Sequence, residues 1–115
     1  MAMVLAIGAD LCYSTRAMML ALGCIQALQC NGNICPIGGA TQDKSLMTGL
    51  DLEDKTERVK NYHHETIHSL IELIAAVGIK KPSDLKRAHI NRRTSQSAVL
   101  QYNEIYKDVK VGSYL

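Results

Sequence analysis

Between Gly23 and Asp43 the chain reads GCIQALQCNGNICPIGGATQD, and no other stretch limits its folding more. Cys24, Cys30 and Cys35 stand at C-x5-C-x4-C spacing, with Pro36 directly after the last. An apolar run of helical composition, residues 17–28, leads into this stretch and carries Cys24. Asn31, Gly32, Asn33, Pro36, Gly38 and Gly39 are turn formers that cannot prolong a helix. One sulfur is therefore expected on a rigid helix end, and two on a curled loop that bends back towards it.

Thiolates converging in this way bind a soft metal centre, and a Cys-Pro ending also closes the cluster-binding run of bacterial ferredoxins. No C-x2-C pair is present, which argues against a zinc ribbon or a thioredoxin-like redox site. Free cysteine also packs as a small hydrophobe. Spacing alone leaves both readings open, a metal or cluster site and a set of inert or redox-labile thiols.

A chain of 115 residues supports one small domain, burying somewhat under ~70% of its unfolded surface. With no Phe or Trp and five Tyr, its core must come from Leu, Ile, Val, Met and Ala. Thirteen basic against eleven acidic residues leave a net charge of +2, which predicts neither nucleic-acid nor membrane binding. The apolar opening has no basic region ahead of it, so no signal peptide is evident, and the run 17–28 is too short to span a bilayer. Four cysteines without a secretory signal point to a reducing compartment, and a cytoplasmic location is expected.

Along the chain, residues 1–7 have helical composition, Gly8 breaks them, and residues 9–13 read as a short strand. This is the one convincing strand, and a lone buried strand cannot satisfy its backbone groups. Ser14 is placed as a helix N-cap with Thr15 and Arg16 in the first turn, and residues 17–28 are expected to continue as a helix buried on most sides. Residues 31–50 form a loop, long for a compact domain unless functional, which a bound cluster could order. A second helix is predicted to start at residues 51–54, where the acids suit its N-terminus. Its apolar positions are Val59, Tyr62, Thr66, Ile67, Leu70, Ile71, Ile74 and Val77. Gly78 and Ile79 are placed for a Schellman ending, and Pro82 opens a short helix through about Arg87. Beyond Asn91 the pattern predicts loop, a short helix or two around Tyr102, Ile105, Tyr106 and Val109, and a frayed end.

Other polar groups carry weaker signals. Free N–H groups at Ser14, Thr15 and Arg16 could hold a phosphate, although simple capping explains them as well. His64 and His68 have the i, i+4 spacing of zinc ligands, but no H-E-x-x-H pattern and no obvious third ligand accompany them, so a solvated or capping role is expected for these and for His63. Thr41 and Gln42 are read as loop-ordering. Lys80, Lys81, Lys86, Arg87, Arg92 and Arg93 lack the interleaved aromatics of a nucleic-acid surface. They read as a solvated face, with a docking surface for an acidic electron-donor protein as the alternative.

Several separated motifs in order carry a resemblance. GADLCYSTRAMMLALGCIQ (residues 8–26), the cysteine loop through CPIGGATQD (35–43), GLDLEDKTERVKNYHHET (49–66), AAVGIKKPSDL (75–85) and HINRR (89–93) together resemble the C-terminal part of the FMN-binding synthase domain of glutamate synthases. Ile37 and Gly39 depart from the Thr or Val and the Val usual there. The resemblance implies that Cys24, Cys30 and Cys35 hold a [3Fe-4S] cluster beside the flavin, and that Ser14, Thr15 and Arg16 lie at the FMN phosphate. It implies a C-terminal fragment of a (β/α)8 TIM barrel, mostly α as it stands. Residues 1–50 would be the last barrel strand, helix and cysteine loop, and residues 51–115 a C-terminal helical region of the same domain. The implied activity makes glutamate from 2-oxoglutarate and ammonia, glutamine-derived, with electrons relayed through the cluster to FMN. The implied partners are the remainder of the barrel and a ferredoxin or pyridine-nucleotide reductase subunit. With hydride chemistry on strands outside this chain, no catalytic residue is assigned here, and the chain alone is expected to be inactive. The alternative is an Fe–S-carrying or purely structural helical module that docks on a separate partner.

Overall fold

The computed structural model describes residues 1–113, and helices dominate it. In chain order they are α1 (Ala2–Ile7), α2 (Thr15–Ala21), α3 (Lys44–Met47), α4 (Leu52–Val77) and α5 (Tyr102–Ile105). Tight 3-10 turns occupy Cys30–Gly32, Pro82–Asp84 and Arg87–His89. β1 (Asn91–Arg93) pairs antiparallel with β2 (Val99–Gln101), in the register Asn91 to Gln101 and Arg93 to Val99. Two compact units result: Met1–Cys12 with Ser69–Leu115, and Tyr13–His68. No helix among the described residues is long and apolar enough to cross a membrane.

Helix α4 has the ends its sequence predicts. The Asp51 carboxylate accepts the N–H groups of Glu53 (3.0 Å) and Asp54 (3.3 Å), satisfying donors that the first turn leaves open. At the other end Gly78 takes φ +82°, and the N–H of Ile79 donates to the Ile74 carbonyl at 3.2 Å, closing the expected Schellman motif. Of the expected apolar stripe, Leu70 and Ile74 are buried, whereas Tyr62, Ile71 and Val77 are exposed.

The unit formed by the two chain ends packs Ala6, Leu70, Ile74, Leu85 and Tyr102 as its buried apolar residues. Tyr102 meets Tyr106 edge to face at 5.2 Å between ring centroids, and its hydroxyl donates to the Met3 sulfur at 3.1 Å. Arg87 ties the same unit together. Its guanidinium donates to the carbonyls of Tyr106 (3.0 Å) and Ile7 (3.3 Å) and pairs with Asp108. Within the basic run, this residue is a half-buried clamp and not part of a solvated face.

Three expectations are corrected here. Residues 9–13 form no strand: Leu11 is 75% and Tyr13 93% exposed, and among the described residues no strand pairs with them to satisfy a ladder. A hairpin at residues 91–101 appears instead. Its six strand residues are all exposed, so no apolar alternation announced it, and its turn, residues 94–97, has neither Gly nor Asn. The expected short helix from Pro82 is two 3-10 turns separated by the buried Leu85, which is extended. The expected helical spacing beyond Asn91 does yield α5, and the expected frayed end falls in part on Tyr114 and Leu115, outside the described residues.

In the unit of residues 13–68 the apolar run 17–28 also departs from expectation. Helix α2 stops at Ala21 because Gly23 adopts φ +99° and its N–H donates to the Leu20 carbonyl (2.9 Å). The Cys24 N–H donates to Met19 (3.0 Å), so this too is a Schellman ending. No residue of α2 is buried, and Leu28 is 83% exposed. Burial in this unit lies in the cysteine loop itself, at Cys35, Gly38 and Thr41.

Gly38 has φ +78°, and a Cβ there would lie 2.6 Å from the Leu46 carbonyl oxygen and 3.1 Å from Met47 Cα. A Cβ on Gly39 would meet only the Ile37 side chain, at an ordinary 3.6 Å. Ile37 thus lies beside residue 39 without crowding it. In urea unfolding, Gly38→Ala is expected to cost about 2–4 kcal/mol, from left-handed strain and backbone overlap. Gly39→Ala should stay within about 1 kcal/mol of wild type. Equal losses at both positions would contradict this packing.

Candidate metal centre

The cysteine loop is held shut by its own polar groups. Asn33 sits in the left-handed region (φ 59°), where its carbonyl accepts the Thr41 hydroxyl at 2.6 Å and its side-chain oxygen accepts the Gln42 N–H at 2.5 Å. The Thr41 hydroxyl in turn accepts the Asp43 N–H at 3.1 Å. Asp43 caps α3, accepting from the Ser45 hydroxyl (2.6 Å) and N–H (2.8 Å), and these bonds hold its carboxyl below the usual range. Thr41 therefore orders the loop through its hydroxyl, as expected, whereas Gln42 contributes only its main-chain N–H.

Cys35 lies inside that clasp, 6% exposed. The backbone N–H groups of Ile37 and Ala40, with smaller help from Gly39 and Gly38, hold its thiol below the ordinary value of 9.0. Desolvation opposes them without prevailing. Cys24 follows the Schellman turn of α2, half-buried, and its sulfur accepts the Gln26 N–H at 3.4 Å. Cys30 is exposed at the start of its 3-10 turn. All three cysteines line one narrow recess together with Pro36 and Ile37.

That donor set has the chemistry of an iron–sulfur site, namely three thiols on one recess with backbone N–H groups aimed at two of the sulfurs. Its room is another matter. The recess measures about 10 Å³, roughly one water, and no group of three His, Cys, Asp or Glu side chains is arranged to hold a metal among the described residues. Every non-glycine residue with positive φ among the described residues falls in this loop: Gln26 (56°), Leu28 (58°) and Asn33 (59°). Left-handed Gln and Leu cost of order 1–2 kcal/mol each, and such strain collects at functional sites.

The recess adjoins a larger groove of about 440 Å³ lined by Thr15, Arg16, Cys24 and Cys30. Two of the three residues expected at a flavin phosphate thus share one groove with two of the three expected cluster cysteines. Ser14 occupies the N-cap position of α2 but makes no capping bond with its side chain, and it does not line the groove. Cys12 lies outside this site. The donors that act on the sulfurs, Gln26 and residues 37–40, were not identified from the sequence because they use main-chain N–H groups that any residue but proline possesses.

Comparison with known proteins bears out the resemblance. A family model described as the conserved region in glutamate synthase matches residues 1–80, which contain all six candidate site residues. The chain is 38% identical over 104 residues to the glutamate synthase large subunit-like protein YerD of Bacillus subtilis strain 168, covering 90% of this chain and 20% of YerD. It is 38% identical over 82 residues to the archaeal glutamate synthase (NADPH) of Methanocaldococcus jannaschii, covering 71% of this chain and 16% of that protein. Against the glutamate synthase (NADH) of Schizosaccharomyces pombe the identity is 33% over 67 residues, 58% of this chain and 3% of that protein. The chain therefore spans a fifth or less of the length of these relatives. No solved structure gives a significant match. On the span of the family match and the identity to its members, this chain belongs to the glutamate synthase family of oxidoreductases.

Proposed function

We propose that this chain carries the cluster-binding part of a cytoplasmic glutamate-synthase-type flavoenzyme, the C-terminal part of an FMN-binding (β/α)8 barrel. Cys24, Cys30 and Cys35 would hold a [3Fe-4S] centre, and Thr15 and Arg16, with Ser14 beside them outside the groove, would lie at the FMN phosphate. The observation that carries this reading is the single groove lined by Thr15, Arg16, Cys24 and Cys30, continuous in lining residues with the recess that contains Cys35. Together the two groups supply one-electron transfer and hydride transfer, the chemistry needed to make glutamate from 2-oxoglutarate and ammonia.

The chain's own residues have definite parts in this. Main-chain N–H groups around Cys35 favour the thiolate, the form that ligates iron. At Cys24 the Gln26 N–H donates a bond to the sulfur. Arg16 places a permanent positive charge in the groove, suited to a phosphate. Exposed Tyr13, Ile25 and Leu28 call for an apolar partner surface, and the remainder of the barrel domain would supply it. The same exposure favours, as a second reading, a helical module docking on a separately encoded partner. A ferredoxin or pyridine-nucleotide reductase subunit would be the electron donor.

Anaerobic reconstitution with iron and sulfide tests the ligand set. About three irons per chain are expected, lost in Cys24→Ser, Cys30→Ser or Cys35→Ser and retained in Cys12→Ser. No iron after reconstitution, or loss in the Cys12 variant, would overturn the assignment. Without metal, Cys35 should show its environment in a thiolate absorbance titration. Its depressed value means that thiolate-linked stability is complete above 9.0, the ordinary value, and falls away as pH drops through the folded value. One thiol should therefore deprotonate below 9.0, and Cys35→Ser should remove that step. A titration unchanged by the substitution would mean that the N–H groups do not act on this sulfur.

A further inference from the structure

Helix α4 carries a second group of ligating side chains, unconnected with the cysteines. His64 and His68 are one helical turn apart, which puts them on one face. Their rings lie stacked, with centroids 6.4 Å apart and planes within 20° of parallel. Both residues are exposed, outside any packed core. The Glu65 carboxylate oxygen lies 3.2 Å from His64 Nδ1. An Nδ1–H donated to that carboxylate fixes the tautomer that leaves the Nε2 lone pair free to ligate, the arrangement in which metal-bound histidines are commonly held.

We propose that His64 and His68 form a two-nitrogen chelate on α4 for a divalent transition-metal ion of the imidazole-preferring class (Zn²⁺, Ni²⁺ or Cu²⁺), with Glu65 as the positioning residue for His64. Carboxylate-preferring Mg²⁺ and Ca²⁺ do not suit two neutral imidazoles. Water completes the coordination, in keeping with the absence of any three-ligand group among the described residues. The site is a surface chelate, distinct from the cysteine recess in residues and in ligand chemistry. Its binding requires no electron transfer. The neighbouring His63 lies instead along an apolar groove with Met18, Leu22 and Val59, and serves as an internal control.

Ni²⁺ titration of the full chain, followed by NMR of the histidine rings and by absorbance, tests the site. Bound imidazole perturbs the rings of His64 and His68 together, whereas nickel bound at cysteine announces itself by intense thiolate charge-transfer absorption. Loss of one arm of a chelate leaves a monodentate imidazole, so His64→Ala and His68→Ala should each weaken ring-detected binding by at least about ten-fold, and His63→Ala should leave it unchanged. Glu65→Gln should weaken it by roughly ten-fold or somewhat less, because an outer-shell partner usually contributes 10–100-fold and this one is exposed. Alanine favours helix, so these variants keep α4 intact, which circular dichroism verifies. Ring shifts that survive either single histidine substitution at undiminished affinity, or nickel confined to the thiolate bands, would overturn the proposal. A failed iron reconstitution at the cysteines would leave it standing.

Discussion

The hydrogen bond from the Thr41 hydroxyl to the Asn33 carbonyl is the contact on which the candidate centre depends. It closes the loop around Cys35, and the Thr41 oxygen then accepts from Asp43, whose carboxylate starts α3. Gly38 completes the arrangement, because only a residue without Cβ lets the loop lie against Leu46 and Met47. A buried hydroxyl, one left-handed asparagine and one glycine thus position a thiol. Each is a small side chain acting on the main chain, and none is itself a ligand. Where most small domains bury aliphatic side chains, this unit buries a polar clasp with a cysteine inside it.

That arrangement has an electrostatic result. The N–H groups of residues 37–40 favour the Cys35 thiolate more than the desolvation that burial imposes disfavours it. The sulfur is therefore buried and anion-stabilised at once. Apolar burial alone raises a thiol's pKa and makes it inert. Cys30, exposed, and Cys24, with a single N–H donor, have no comparable surroundings.

What the sequence disclosed was whatever a short-range side-chain signal encodes. Asp51 and Gly78 bracket α4 because capping chemistry is local, and both ends fall where those residues stand. The spacing of the cysteine motif named three residues that the fold does bring to one recess. The failures have equally local causes. Gly23 ended α2 inside a run whose apolar composition argued for continuation, since one left-handed glycine outweighs several helix formers when two Schellman bonds reward it. Residues 9–13 have strand composition, but a strand is a property of neighbours and not of a segment. The hairpin at residues 91–101 buries none of its strand side chains, so no face of it could leave a pattern. The N–H groups around Cys35 were beyond reach for another reason: main-chain donors carry no sequence label.

The two walls of the recess are not equivalent, and this bears on how three cysteines could share one centre. The wall of residues 33–43 is fixed by the clasp, by the α3 cap and by Gly38. The arm between Cys24 and Cys30 is fixed by little: Ile25 and Leu28 are exposed, and Gln26 and Leu28 are held in left-handed backbone that most side chains avoid. A recess with room for about one water must widen before anything larger enters. The displacement costs least where strain is relieved and no buried contact is broken, which is the Cys24–Cys30 arm. In the proposed centre Cys35 would be the fixed member and Cys24 and Cys30 those that adjust, with the left-handed strain at Gln26 and Leu28 favouring their movement.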